Sequence, residues 1–306
     1  MNLLTSFLLL SLPAMSAIWG TNDVKPVLQG TAAQKKAAES VAQLVPKTLI
    51  TTNADGTRNI ETQTLAENWY LCPQEPWAKM QSVFVSCTGF LIAPDRMMTA
   101  GHCMVNFGRA TNERTSFCSD FVWVFGLQEN AAGQVQTKNI PSDRFADCET
   151  VIEAVHDSEP TADGKVIFRS DYALTTLKTP SSRTPLKLSP VEPRLNKGAP
   201  VFMIGHPLGA PLKISKGKVI STAETFWSTS LDSFRGNSGS PVFNSAMEVI
   251  GILVRGYPDG LNENTGLTCN RINRCSEDGS KCDSIDPLFV PGEHVQKLPR
   301  QLLEKR

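Results

Sequence analysis

The sequence has no excess of charge of either sign and no long apolar run. Its 30 Lys and Arg residues balance 30 Asp and Glu residues, and no basic run is typical of a nucleic-acid-binding arm. No apolar stretch reaches the length of a membrane span. Internal repeats and low-complexity tracts are also absent from the sequence. We therefore expect no nucleic-acid partner and no membrane partner.

Signals for metals and cofactors are equally sparse. The spacing Cys269-x5-Cys275-x6-Cys282 lacks paired C-x2-C knuckles, and no histidine near it has zinc-site spacing. A loop held by disulfides is the better interpretation of these cysteines. The sequence contains no convincing calcium-binding loop, so we expect no metal and no cofactor.

The first residues have the features of a secretory signal. Leu3 to Leu12 form a short apolar core, and the small residues Ala14, Ser16 and Ala17 suit signal-peptidase cleavage, although no Lys or Arg lies near Met1. The alternative is a buried N-terminal helix. The even count of 8 cysteines also favours an oxidising compartment. We expect a secreted or periplasmic protein that is monomeric.

The cysteine positions suggest a disulfide framework. Cys87 and Cys103 flank a unit that resembles a hairpin ending near His102, and their pairing would fix that histidine in place. A second pair, Cys118–Cys148, is a weaker expectation. Cys72 would then join one of the three C-terminal cysteines, which are Cys269, Cys275 and Cys282.

The pattern along the chain predicts an all-β fold. From Ser82 onward, short β-like runs are punctuated by Gly, Pro and Asn, as in antiparallel barrels rather than βαβ units. Helices are expected within residues 31–46 and 292–305. The Pro-rich stretch 180–193 is the best domain boundary. We predict a signal peptide at 1–17, an N-terminal segment at 18–65, a first β-barrel at 66–185, and a second barrel with a C-terminal tail at 186–306.

One glycine-rich turn stands out, Gly236-Asn237-Ser238-Gly239-Ser240-Pro241. Its two glycines allow backbone angles that are closed to other residues and permit close approach of another molecule. The N–H groups of Gly236 and Ser238 could then face one small space and stabilise an oxyanion. Most clusters of these residue types are only turns, so the motif needs partners before it indicates catalysis.

Two further residues complete a candidate catalytic set. A serine hydroxyl needs a base, and His102 lies in the short segment Thr99-Ala100-Gly101-His102-Cys103. The base needs a carboxylate to orient it, and Asp171 opens the apolar run Asp171–Leu177, where it would be buried at one end of a barrel. A lone Asp at this place is more often a turn residue that begins a strand.

These three motifs resemble the chymotrypsin-like serine proteases. The segments around His102, Asp171 and Ser238 match that family's histidine, aspartate and nucleophile motifs and follow its order along the chain. The form Asn237 to Asn244 is most similar to secreted bacterial members related to glutamyl endopeptidases. The resemblance covers roughly residues 66–295. It implies two antiparallel Greek-key β-barrels with the active site in the cleft between them.

The resemblance also implies a function. A secreted serine endopeptidase would use Ser238 as nucleophile, His102 as base and Asp171 to orient the base, with Gly236 and Ser238 as the oxyanion hole and proteins or peptides as substrates. Asn237 stands where trypsin-like enzymes carry an Asp that pairs with the freed N-terminus, so the animal zymogen switch is not expected in that form. The signal cleavage site near Ile18 would itself give the mature terminus.

The sequence leaves the substrate preference open. Asp232 precedes Ser238 by the spacing of the pocket-floor aspartate of trypsin, which favours Lys or Arg before the scissile bond. Arg255, followed by Gly256, could instead favour acidic residues or pair with Asp232. A preference for small or apolar residues, or a broad specificity, is the third possibility. The histidine that glutamate-selective relatives use is absent from Ile250-Gly251-Ile252-Leu253.

Two other function classes compete with the endopeptidase. A non-catalytic binding protein on a protease fold usually loses a residue of the triad, and this chain keeps all three candidates. An esterase or lipase would show a Gly-x-Ser-x-Gly elbow and the order Ser, Asp, His, and neither is found around Ser238.

Overall fold

The computed structural model describes residues 16–83, 87–105, 114–160, 166–256, 269–283 and 291–299. Residues 1–15 of the expected signal peptide and 300–305 of the expected C-terminal helix therefore lie outside the described residues. Within the described ranges, no helix is long and apolar enough to cross a membrane.

The described chain is built mainly from short strands. Up to the end of the first barrel these are β1 Ser16–Trp19, β2 Lys25–Pro26, β3 Val41–Pro46, β4 Ile50–Thr52, β5 Arg58–Ile60, β6 Gln63–Thr64, β7 Gln81–Ser82, β8 Thr88–Ala93, β9 Arg96–Thr99, β10 Phe121–Phe125, β11 Phe145–Pro160 and β12 Val166–Leu177. The remaining strands are β13 Pro200–Gly205, β14 Lys213–Thr222, β15 Phe226–Thr229, β16 Ser233–Phe234, β17 Pro241–Phe243, β18 Val249–Arg255, β19 Asn273–Cys275 and β20 Glu293–Lys297. The α-helices are α1 Ala32–Ala38, α2 Leu65–Trp69 and α3 Arg114–Asp120.

The first barrel closes with six antiparallel strands in the order β3-β8-β9-β12-β11-β10. Taken in chain order, its fourth strand lies beside its first, which is a Greek-key arrangement. Buried apolar side chains such as Phe90, Met98 and Trp123 fill its interior. These strands bury residues on both faces, which explains why several read as continuous apolar runs.

The second barrel repeats the same strand order. Its six strands pair antiparallel in the order β13-β17-β18-β20-β15-β14, and the pairing of β14 with β13 closes the barrel. Strand β2 also pairs with β14. Val201, Trp227 and Val295 belong to its apolar interior. The structure therefore confirms the all-β class and the prediction of two antiparallel Greek-key barrels.

Two predicted helices are wrong in part. Within residues 31–46 the chain forms one short helix, α1, and then turns into strand β3. Thr31 and Gln34 cap the N-terminus of α1, because the side chain of each accepts the backbone N–H of the other. The first barrel therefore begins before residue 66, since β3 pairs with both β8 and β10. Near the C-terminus, Glu293–Lys297 is a barrel strand rather than a helix.

The N-terminal segment packs against the second barrel. Strand β1 pairs antiparallel with β16 and parallel with β19, so it lies between two segments far away in sequence. Ile18 and Trp19 in this strand are each only 1% exposed. This segment therefore belongs to the packed interior, next to the approach to the glycine-rich turn.

All eight cysteines form disulfides. Cys87–Cys103 is present as predicted, and Cys118–Cys148 is also confirmed. Cys72 pairs with Cys269, and the remaining pair is Cys275–Cys282. The disulfide interpretation of the C-terminal cysteines is thus correct.

Candidate active site

His102 lies in a tight turn that follows strand β9. The turn spans Gly101–Cys103, and the disulfide from Cys103 to Cys87 ties it to the residue that precedes β8. The histidine side chain keeps 19% of its surface exposed. The first barrel therefore fixes the backbone of His102 and leaves its imidazole open to solvent.

Asp171 is buried beside His102 and binds it twice. One carboxylate oxygen accepts the backbone N–H of His102 at 3.0 Å, and the other lies 2.8 Å from Nδ1 of the imidazole. The sequence suggested that Asp171 begins a strand. In the structure it lies inside the long strand β12 instead. Burial alone would raise the pKa of this carboxyl, but the charge and hydrogen bonds of His102 hold it below its usual value.

Ser238 lies in the loop between β16 and β17 of the second barrel. The flanking glycines have the left-handed backbone that the sequence suggested, with φ +93° at Gly236 and +88° at Gly239. A Cβ on Gly239 would also lie 2.0 Å from the carbonyl oxygen of Thr88, so only glycine fits there. The turn is thereby pressed against the first barrel.

Thr88 joins the two barrels at this turn. Its backbone N–H donates to the carbonyl of Ser238 at 2.8 Å, and its hydroxyl donates to the carbonyl of Gly236 at 2.8 Å. The hydroxyl also accepts the N–H of His206 at 3.1 Å. Sequence reasoning missed this residue, because a threonine that follows a cysteine at the start of a strand has no distinguishing pattern.

The backbone N–H groups of Gly236 and Ser238 have no acceptor among the described residues. Within the described ranges neither donates a hydrogen bond to a protein group, whereas Asn237, Gly239 and Ser240 all do. Two free N–H groups that flank a hydroxyl are what an oxyanion hole requires.

Ser238 and His102 approach each other from opposite barrels. The disulfide sulfur of Cys103, which follows His102, lies 3.9 Å from the carbonyl oxygen of Ser238. Among the described residues, the hydroxyl of Ser238 makes no hydrogen bond, to His102 or to any other group. Such bonds are often long in substrate-free proteases and tighten when substrate binds.

The carboxylate of Asp232 holds the N-terminal segment. One oxygen accepts the N–H of Trp19 at 2.7 Å and the other that of Asp23 at 2.9 Å, and the residue is only 1% exposed. Burial raises the pKa of Asp232 to about 7, although these two N–H groups act in the opposite direction. Both oxygens are therefore already engaged within the chain.

Arg255 and Gly256 lie at the end of strand β18 beside a second buried acid. The Nε of Arg255 donates to Nδ1 of His294 at 3.0 Å, and its guanidinium lies 5.4 Å from the ring centre of Phe226. A Cβ on Gly256 would lie 1.9 Å from the carboxylate of Glu293, which also accepts the indole N–H of Trp19 at 3.2 Å. Sequence reasoning missed Glu293, because residues 292–305 were interpreted as a helix.

Two other histidines lie close to the candidate catalytic residues, His206 beside the Ser238 turn and His156 beside Asp171. His206 is fully buried, its Nδ1 lies 3.0 Å from the carbonyl of Ala210, and burial lowers its pKa to about 4. It is therefore a neutral structural residue. His156 lies across the β11–β12 ladder from Asp171, with its ring centre 5.8 Å from that of His102. Burial lowers the pKa of His156.

Comparison with known proteins agrees with this geometry. The family model described as a trypsin-like peptidase domain matches residues 87–252, which include all three candidate catalytic residues. No curated protein sequence matches the chain significantly.

Solved structures are similar at low identity. A Glu endopeptidase in complex with MPD is 18% identical, with a TM-score of 0.46, and the match covers 78% of this chain and 88% of that one. The active form of the Rv3671c protease from M. tuberculosis is 15% identical, with a TM-score of 0.45 and coverage of 94% and 86%. Its inactive form is 14% identical, with a TM-score of 0.45 and coverage of 92% of both chains.

Proposed function

The chain belongs to the trypsin-like peptidase family, and we propose that it is a serine endopeptidase acting through Ser238, His102 and Asp171. The observation that supports the mechanism best is the meeting of the two barrels. The first barrel holds the doubly bonded pair of His102 and Asp171, and Thr88 draws the Ser238 turn of the second barrel against it.

In the proposed reaction His102 accepts the proton of Ser238 as the hydroxyl attacks a peptide carbonyl. Asp171 keeps the proton of the imidazole on Nδ1, so that Nε2 is the basic nitrogen, and it stabilises the imidazolium that forms. The N–H groups of Gly236 and Ser238 receive the negative oxygen of the tetrahedral intermediate. His102 then protonates the leaving amine, and water hydrolyses the acyl-enzyme by the same steps.

The proposal is tested with a fluorophosphonate probe, which labels only an activated serine. We expect labelling of Ser238 and hydrolysis of casein by the unaltered protein, and neither by Ser238→Ala. Ser245→Ala is the matched control, because this serine is exposed and lies a few residues beyond the turn.

Failure of labelling in the correctly folded protein would instead favour the non-catalytic binding protein. Hydrolysis of esters without hydrolysis of peptides would favour an esterase.

The preference for Lys or Arg before the scissile bond is a separate hypothesis. Asp232 offers negative charge near the turn, but a substrate cation would have to compete with two backbone N–H groups for its oxygens. Glu293 adds a second buried carboxylate beside Gly256, whereas Arg255, which directly precedes Gly256, adds a positive charge. A panel of fluorogenic peptides that differ only in the residue before the scissile bond decides between a basic and an acidic preference. A strong preference for Glu would rule out the acidic pocket.

We also propose that the protein acts outside the cytosol as a monomer. The four disulfides support this compartment, because such frameworks persist in oxidising surroundings. Detection of the processed chain in culture medium or periplasmic extract, together with its mass in solution by light scattering, tests both points.

A further inference from the structure

One oxygen of Asp171 faces two imidazoles. Oδ2 lies 2.8 Å from Nδ1 of His102 and 3.8 Å from Nε2 of His156. His156 and Asp171 are direct partners in the β11–β12 ladder, so the backbone holds the second imidazole at this place. The proposed reaction uses only His102, and it leaves His156 without a role.

We propose that His102, His156 and Asp171 form an inhibitory site for a divalent transition metal such as Zn²⁺. The inference rests on the proposed function, because the ion would act by occupying the catalytic base. The donor atoms of the three side chains all lie within 4.8 Å of one another. Two imidazoles and one carboxylate are a ligand set that suits Zn²⁺, with a fourth position left for water.

Two of the three donor separations lie close to the value expected for such an ion. Two ligands of one tetrahedral Zn²⁺, each about 2.0–2.1 Å from it, lie about 3.3 Å apart. The two observed separations from Oδ2 of Asp171, 2.8 and 3.8 Å, lie on either side of this value. Both imidazole rings would have to rotate towards the ion, and the donor nitrogens of His102 and His156, which lie within 4.8 Å of each other, would have to move closer together.

An ion can reach this site from solvent. The side chains of His102 and His156 are 19% and 17% exposed, whereas that of Asp171 is 3% exposed. The ion would thus enter between the two rings and meet the carboxylate at the bottom of the site. Another grouping around His102, with Cys87 and Cys103, offers no thiolate ligands because these cysteines form a disulfide.

A bound ion would stop proton transfer because it fixes His102 in the wrong tautomer. An ion on Nδ1 displaces the proton that Asp171 accepts, and this proton leaves to solvent. The neutral imidazole then carries its remaining proton on Nε2 and has no lone pair there for the proton of Ser238. Arg255 interacts electrostatically with both Asp171 and His156, so its positive charge weakens the site relative to a closed structural zinc site. Inhibition should therefore be reversible.

The first test is Zn²⁺ titration of peptidase activity in chelator-free buffer, with each variant compared with its own metal-free rate. We expect inhibition of the unaltered protein that EDTA reverses. His156→Gln should need at least about tenfold more Zn²⁺ for the same inhibition. Glu149→Gln is the matched control, because this exposed carboxylate lies on the same strand and should leave the inhibition unchanged. Equal sensitivity of His156→Gln and the unaltered protein would overturn the proposal.

The second test measures binding without activity. The Ser238→Ala chain is titrated with Co²⁺, whose visible absorption reports tetrahedral coordination, and the same signal should be lost in Ser238→Ala/His156→Gln. Co²⁺ binding that depends on His156, found together with no peptidase activity in the unaltered protein, would support the metal site and reject the proposed function. If the unaltered protein cleaves peptides but Co²⁺ binding does not depend on His156, the proposed function would stand and the metal site would be rejected.

Discussion

Asp171 accepts both the backbone N–H and the imidazole Nδ1 of His102, so a single carboxylate fixes the position and the tautomer of the same residue. The two residues are 69 positions apart in the sequence and come from different elements of one barrel. The lowered pKa of Asp171 keeps the carboxylate charged at neutral pH, as both contacts require. Because both oxygens of Asp171 accept hydrogen bonds from His102, replacing one oxygen by an NH2 group should disturb the pair.

Asp171→Asn should therefore reduce kcat by about four orders of magnitude, with a much smaller change in KM. The amide has nearly the same shape, but its NH2 group cannot accept a proton from the imidazole, which favours the wrong tautomer. Steady-state kinetics with a peptide substrate measures both constants, and circular dichroism verifies the fold. A loss confined to KM would show that Asp171 serves substrate binding instead.

Thr88 offers a test of how the two barrels are joined at the proposed nucleophile, Ser238. Thr88→Val keeps the shape but leaves the carbonyl of Gly236 and the N–H of His206 without their partner, each at a cost of about 1–3 kcal/mol. Because the turn would lose its anchor, we expect kcat and the rate of fluorophosphonate labelling to fall about tenfold or more. Thr88→Ser retains the hydroxyl and should recover most of both rates. Failure of the serine variant to recover them would point to packing of the methyl group.

The motifs of the proposed triad can be recognised in the sequence because each depends on local residue chemistry. Two glycines flank Ser238 within two residues, and the two cysteines of the disulfide beside His102 are only 16 positions apart. The strand Val41–Pro46 was interpreted as part of a helix because its apolar residues fit either period, and pairing with β8 and β10 decides the outcome. Thr88 and Asp232 could not be assigned, since their partners lie 148 and 213 residues away.

The disulfides allow a matched comparison of stability. Cys72–Cys269 joins residues 197 positions apart, whereas Cys275–Cys282 joins residues only 7 apart. In the chain-entropy view, the longer loop constrains the unfolded chain more, by about 3 kcal/mol. Replacing the first pair by serines should therefore lower the free energy of unfolding more than replacing the second, as measured by guanidinium titration. Equal losses would show that local strain or packing, rather than loop closure, dominates.

Asp232 makes the stability of the protein depend on pH. Burial raises its pKa to about 7 in the folded state, compared with 3.8 for the free side chain. Between these two values the folded protein holds a proton that the unfolded chain has released. The contribution of Asp232 to stability is therefore full below pH 4 and falls as the pH rises to about 7. His206 acts in the opposite direction, because its pKa is lowered to about 4 from 6.5.

Asp232→Asn should remove the contribution of Asp232 and leave that of His206 in place. As the pH is raised from 5 to 8, we expect the Tm of the variant to rise relative to the Tm of the unaltered protein. Thermal unfolding across this pH range measures the shift, and Asp283→Asn, at an exposed carboxylate, serves as the control. Absence of a shift between pH 5 and 8 would mean that the N–H groups of Trp19 and Asp23 outweigh burial, so that Asp232 is ionised throughout this range and holds the N-terminal segment as a carboxylate.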